Sequence, residues 1–186
     1  MKKYVYTMLL CLSLIPMVTA QRMLPGQKGL EIHAGGLSAD KPGRNYYLNI
    51  GLTINTKNGN YRLLAFEFTH SHLTYKRRLL PLETYTIAYG YSFYLFGDAA
   101  RNISLNAGLT GVLGYENINS GENMLPDGAR LLEESSVIYG AGGRLSLETY
   151  LCDRLVLLLQ GRVKVLWGTD GKQLRPAAGV GLRFNF

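Results

Sequence analysis

The last nine residues, 178–186, alternate without a break: Ala178, Val180, Leu182, Phe184 and Phe186 fall on one parity, Gly179, Gly181, Arg183 and Asn185 on the other. Side chains of a strand point alternately to opposite faces, so one face of this segment suits hydrocarbon and the other a polar interior. A chain built from such strands must either cover its oily face with protein or turn it toward lipid.

Period two recurs along the whole chain. It predicts eight strands, at 28–37, 44–55, 61–72, 82–96, 102–116, 136–151, 155–168 and 176–186. The connections alternate in size. Tight turns fall at 56–60 with Asn58-Gly59, at 97–101 with Gly97-Asp98, and at 152–154, whereas longer loops fall at 38–43, 73–81, 117–135 and 169–175. An even number of antiparallel strands, with short turns at one rim and longer loops at the other, fits an up-and-down transmembrane β-barrel. The expected fold class is therefore all-β: an eight-stranded antiparallel barrel with its turns in the periplasm.

Alternation alone does not say which face is inside. Lys or Arg on a lipid face costs roughly 2 to 4 kcal/mol near the bilayer midplane, and the apolar parity carries neither in any strand interior. The other parity collects Glu31, Glu67, Glu116 and Glu148 with Arg144, Arg162, Lys164 and Arg183. Glycine decides the matter. Strand glycines gather on the charged parity (among them Gly35, Gly51, Gly90, Gly108, Gly114, Gly140, Gly142, Gly168, Gly179 and Gly181) against four on the apolar one (Gly36, Gly111, Gly143, Gly161). Glycine is poor in strands and is kept where space is short, and the interior of eight strands is narrow. The charged face therefore points inward, as a plug of paired ions. Glu31 and Arg183 are expected to meet where the first and last strands close, and Glu67 to reach Arg162 across the ring. Phe96, Phe184 and Phe186 then form the periplasmic aromatic belt, and Tyr46, Tyr85, Tyr115, Tyr139 and Trp167 the outer one.

The N-terminus agrees with export. Lys2 and Lys3 precede an apolar stretch that ends in Val18-Thr19-Ala20, the pattern of a signal peptide cut after Ala20. Residues 1–20 are thus expected to be removed, leaving 21–186 as one barrel domain. Two of the 20 basic residues leave with the leader, so the net charge falls from +7 to +5. Cys152 is then the single thiol, and no internal disulfide can form.

Candidate chemistry is thin. Thr69-His70-Ser71-His72 is similar to the Ser and His pairs of outer-membrane lipid A hydrolases, but His70 and His72 share the lipid-side parity while Ser71 faces away. The two histidines also share a strand face as metal ligands would, without an evident third ligand. His70 and His72, expected at a headgroup boundary, are candidate outer-rim contacts together with Lys76, Arg77 and Arg78, the three basic residues for lipopolysaccharide phosphates. His33 is expected within the polar plug. No phosphate-cradling glycine loop, CxxC pair or dinucleotide fingerprint is present. The residues assign no catalytic group, cofactor or metal, no nucleic-acid site in the folded barrel, and no oligomeric state.

Two resemblances add to this reading. Phe184 and Phe186, on the lipid-side parity at the chain's end, resemble the assembly signal of bacterial outer-membrane barrels. The segments Gln27-Lys28-Gly29-Leu30-Glu31, Asn45-Tyr46-Tyr47-Leu48-Asn49, Pro81-Leu82-Glu83-Thr84-Tyr85, Tyr139-Gly140-Ala141-Gly142-Gly143-Arg144-Leu145-Ser146 and Gly179-Val180-Gly181-Leu182-Arg183-Phe184-Asn185-Phe186 resemble the TraO family of Bacteroides-type conjugative transposons. That resemblance implies a non-enzymatic, structural or accessory component of a DNA-transfer apparatus. Its expected partners are outer-membrane lipids and other conjugation proteins. A lipid-modifying enzyme and a small porin are the alternatives.

Overall fold

The computed structural model describes residues 23–37, 45–75, 78–98, 102–118, 135–169 and 171–186. The expected leader, the 38–43 loop, Lys76 and Arg77 lie outside the described residues, as does most of the 117–135 loop. Eight strands follow one another: β1 (Lys28–Leu37), β2 (Tyr46–Asn55), β3 (Tyr61–Tyr75), β4 (Arg78–Gly97), β5 (Ile103–Ile118), β6 (Ser135–Tyr150), β7 (Leu155–Trp167) and β8 (Leu174–Asn185). Each pairs antiparallel with its neighbours in sequence, and β8 returns to β1 to close the barrel. Closure gives every strand of the wall a partner on both sides, a source of stability that needs no disulfide. The seam is completed at one rim by Phe186, whose N–H donates to the Lys28 carbonyl at 2.8 Å and whose carbonyl accepts from the Lys28 N–H at 3.2 Å.

The rim that carries both ends of the barrel also carries the tight turns. At the β2–β3 connection Asn58 and Gly59 adopt φ values of 62° and 78°, the left-handed pair that a two-residue hairpin requires. After β4, Asp98 organises the turn. Its carboxylate accepts from the Ile103 backbone N–H at 2.9 Å and from Asn102 Nδ2 at 3.1 Å. The Ile103 N–H above all holds the Asp98 carboxyl below its ordinary range.

The apolar parity faces outward all round the wall. Ile32, Leu48, Ile87, Leu113, Tyr139, Leu159 and Val180 are each about half exposed or more, and the inward parity of the same strands is buried. A continuous oily band of this extent is foreign to a water-soluble surface, and hydrocarbon is its natural solvent. The aromatic rows are paired along it: Tyr85 lies opposite Tyr115, and Tyr139 stacks on Trp167 with ring centroids 6.1 Å apart.

Three differences from the sequence reading matter. First, β3 and β4 run on through the segment expected to be a loop at 73–81, leaving only residues 76–77 between them. Pro81 suggested a break, yet it pairs with His72, one residue past the last described β4–β5 pair, Leu82 with Ile118. A strand of 20 residues such as β4 is about twice what a membrane crossing needs, so this hairpin projects past the wall. Second, β8 begins at Leu174, which places Arg175 in the wall instead of in a loop. Third, the lumen is not purely ionic. Met23 turns under the barrel with φ 59° and packs on Tyr150, Val156 and Leu158, stopping the turn rim with an apolar plug. Higher up, Ala88, Val112, Ile138 and Leu166 form a second apolar cluster.

Candidate functional site

The inward charges form three groups stacked along the barrel. Nearest the turn rim, Arg183 is buried between two carboxylates: Nη1 donates to Glu148 Oε2 at 2.7 Å, and Nη2 donates to Glu31 Oε2 at 3.0 Å and Glu148 Oε1 at 3.2 Å. Its Nε adds a contact to Glu31 Oε2 at 3.2 Å. Arg144 Nη1 meets the other oxygen of Glu31 at 3.1 Å, and its Nη2 donates to the Tyr61 hydroxyl. Tyr61 in turn donates to Glu148 at 2.6 Å, while its ring lies beneath Arg183 at 4.3 Å. His33 Nε2 sits 3.4 Å from Glu31. Both carboxylates and both guanidiniums are therefore paired, as ions withdrawn from water must be.

The middle group is built on Glu67, which accepts from Arg162, from Lys164 Nζ at 3.0 Å and from Thr69 Oγ1 at 2.9 Å. Arg162 lies flat over the Tyr47 ring, 3.4 Å from its centroid. The third group is nearer the loop rim. Arg175 Nη2 donates to Glu116 at 2.7 Å, and Thr84 and Thr169 donate to the same carboxylate. The space left among Glu67, Arg162, Lys164 and Arg175 is about 10 Å³, room for a single water at most.

All eight ionic residues expected in the lumen are there, and the pairs Glu31–Arg183 and Glu67–Arg162 are in contact. Sequence reasoning missed Arg175, Tyr47, Tyr61 and Met23. Arg175 precedes a proline and read as loop, and Met23 lies in a stretch without periodicity. One signal for the apolar plug was present: Leu155-Val156-Leu157-Leu158-Leu159 is apolar on both parities, so β7 must bury oil inward as well as outward.

The rim candidates are placed differently. His70 and His72 lie on the outer wall with ring centroids 5.0 Å apart, His70 stacked on Tyr46 and His72 Nδ1 3.1 Å from Asn45 Oδ1. Ser71 faces the other way and donates to the Leu82 carbonyl at 3.4 Å, so its hydroxyl is turned from both imidazoles. Among the described residues, no three His, Cys, Asp or Glu side chains converge as metal ligands would. Arg78 begins β4, at the tip of the projecting hairpin. Phe184 and Phe186 are exposed on the outer wall beside the seam.

The family model described as "Conjugative transposon protein TraO" matches residues 24–186, the whole barrel. The chain belongs to the TraO family. No curated protein matches it. Among solved structures, this TraO-family barrel is similar to Neisserial surface protein A, with a TM-score of 0.64 and 13% identity over 87% of this chain and 97% of that one. It is also similar to a major outer membrane protein of Thermus thermophilus, with a TM-score of 0.61 and 9% identity over 86% and 98%. A third is Ail, the attachment invasion locus protein of Yersinia pestis, solved with the heparin analogue sucrose octasulfate, with a TM-score of 0.56 and 14% identity over 88% and 100%. At these identities the likeness is one of fold: the TraO chain has the architecture of small outer-membrane barrels.

Proposed function

We propose that the protein is an outer-membrane frame of a conjugation apparatus, acting through what it displays at its two rims. The observation that carries this reading is the filled lumen: three ionic groups and two apolar clusters occupy it from rim to rim, which argues against passage of DNA through this barrel. The wall then serves as a rigid anchor. The turn rim docks periplasmic partners, and the opposite rim, with the projecting β3–β4 hairpin, faces the cell exterior.

Photo-crosslinkers at Lys57 and Asp153 on the turn rim, and separately at Gly121 and Asp127, test this in mating cells. Adducts with other transfer proteins from either rim are the expected result; adducts from neither would overturn the docking role.

Topology has its own test. Cys152 is exposed at the turn rim. A membrane-impermeant maleimide should leave it unlabelled in intact cells and label it once the outer membrane is permeabilised. Labelling of intact cells would invert the assignment of the rims.

A further inference from the structure

Glycines of this barrel fall into two physical classes. A Cβ at inward Gly90 would lie 2.0 Å from the Leu109 carbonyl oxygen, and one at inward Gly140 would lie 2.1 Å from that of Val165, so the backbone itself demands glycine there. Outward Gly111 is different. A Cβ there would meet nothing closer than the Tyr89 carbonyl oxygen at 4.0 Å. Nothing within the protein requires the side chain to be missing, although glycine weakens a strand. Gly111 is paired with Ala141 on one side and Tyr89 on the other. Gly111 and Ala141 floor a groove of about 500 Å³ on the outer wall, whose sides are Tyr89, Tyr91 and Leu109 and which Arg62 borders.

Arg62 is a cation on the outward, apolar parity of β3. It is exposed one residue inside the turn-rim end of β3, and among the described residues no carboxylate pairs with it. Tyr91, directly opposite it, reaches Thr56 of the β2–β3 turn through a 2.8 Å hydroxyl contact. That contact fixes the depth of the Arg62 end: it is the polar boundary of the bilayer, where Arg stems snorkel and phosphates lie. The groove therefore has a cationic end at headgroup level and an apolar floor running into the hydrocarbon.

We propose that this groove is a specific phospholipid site, with the phosphodiester on Arg62 and one acyl chain laid over Gly111 and Ala141. The proposal rests on the outer face being the lipid face. The charge and its depth select this occupant over a second barrel, which would bring another Arg62 against the first and leave both unpaired.

Native mass spectrometry of the full barrel in micelles, titrated with phosphatidylglycerol, tests it. Wild type should hold one lipid. Arg62→Gln and Gly111→Leu should each weaken that adduct about tenfold, as expected for losing a charge-assisted contact or the acyl seat. Gly161→Leu, outward on β7 with nothing within 4 Å, should leave it unchanged. Diacylglycerol, which lacks the phosphate, should bind as weakly to wild type as to Arg62→Gln. Equal adducts in all variants, or equal binding of diacylglycerol, would overturn the site. So would a crosslinked dimer abolished by Gly111→Leu. Retention of heat-modifiable gel mobility in each variant shows that the barrel is still closed, so loss of lipid alone leaves the lipid-facing reading intact.

Discussion

Arg183→Met is expected to destabilise the folded barrel by about 3 to 5 kcal/mol, the usual consequence of removing one member of a buried ionic cluster. Arg183 is 1% exposed and makes four hydrogen bonds to Glu31 and Glu148, both fully buried. Methionine keeps much of the volume and none of the charge, leaving Glu148 with Tyr61 as its hydrogen-bond donor and Glu31 with Arg144. Unfolding by urea in micelles, followed by the emission of Trp167, measures the loss; Trp167 is the single tryptophan and sits on the outer wall, away from the substitution. Adding Glu148→Gln to Arg183→Met should restore part of the stability, because the surviving penalty is that of an unpaired carboxylate. A single substitution costing under about 1 kcal/mol, the level of an exposed pair, would mean that water reaches this group and that the lumen is open.

That outcome bears directly on function. A lumen held shut by charge pairs belongs to a frame, and one wet enough to tolerate Arg183→Met belongs to a pore. In the proposed role the outer surface of the barrel is the working part, and the ionic groups are what let eight strands close around polar side chains without a channel.

How much of this was legible in the sequence follows from the physics of period two. A one-residue slip turns every side chain to the wrong face, so the parity of Glu31, Glu67, Arg144 and Arg183 could be read without any knowledge of tertiary contacts. The Asn58-Gly59 turn was equally plain, since few other pairs adopt two left-handed residues in a row. What escaped depends on the neighbouring strand. Pro81 reads as a breaker until its pairing with His72 is seen, and Arg175 reads as loop until the register sets it beside Lys164 and within reach of Glu116. Met23 escaped because nothing local prescribes where the segment ahead of β1 will lie; its place is fixed by the apolar patch of Tyr150, Val156 and Leu158 that it covers.

The crowding that keeps glycine on the inner face of the wall also sets the largest effect expected of any single change. Gly35 and Gly179 face each other across the β1–β8 seam. A Cβ at Gly35 would lie 2.2 Å from the Ala178 carbonyl oxygen, and one at Gly179 2.4 Å from that of Ala34 and 2.3 Å from the Tyr47 hydroxyl. Backbone atoms at those distances cannot yield unless the seam opens, and an open seam exposes two strand edges to hydrocarbon, where each unpaired backbone group costs several kcal/mol. Gly35→Val and Gly179→Val should therefore each abolish the closed barrel, read as loss of heat-modifiable gel mobility. Gly161→Val, outward with nothing within 4 Å, should be neutral or slightly stabilising, since valine suits a strand better. Tyr47→Ala separates the two causes of the Gly179 effect. It removes the hydroxyl that a new Cβ would strike and leaves the Ala34 carbonyl in place, so the double variant should still fail to close if the backbone contact governs. Recovery of the closed form would instead assign the glycines to the seating of Tyr47, whose ring carries Arg162 and through it Glu67.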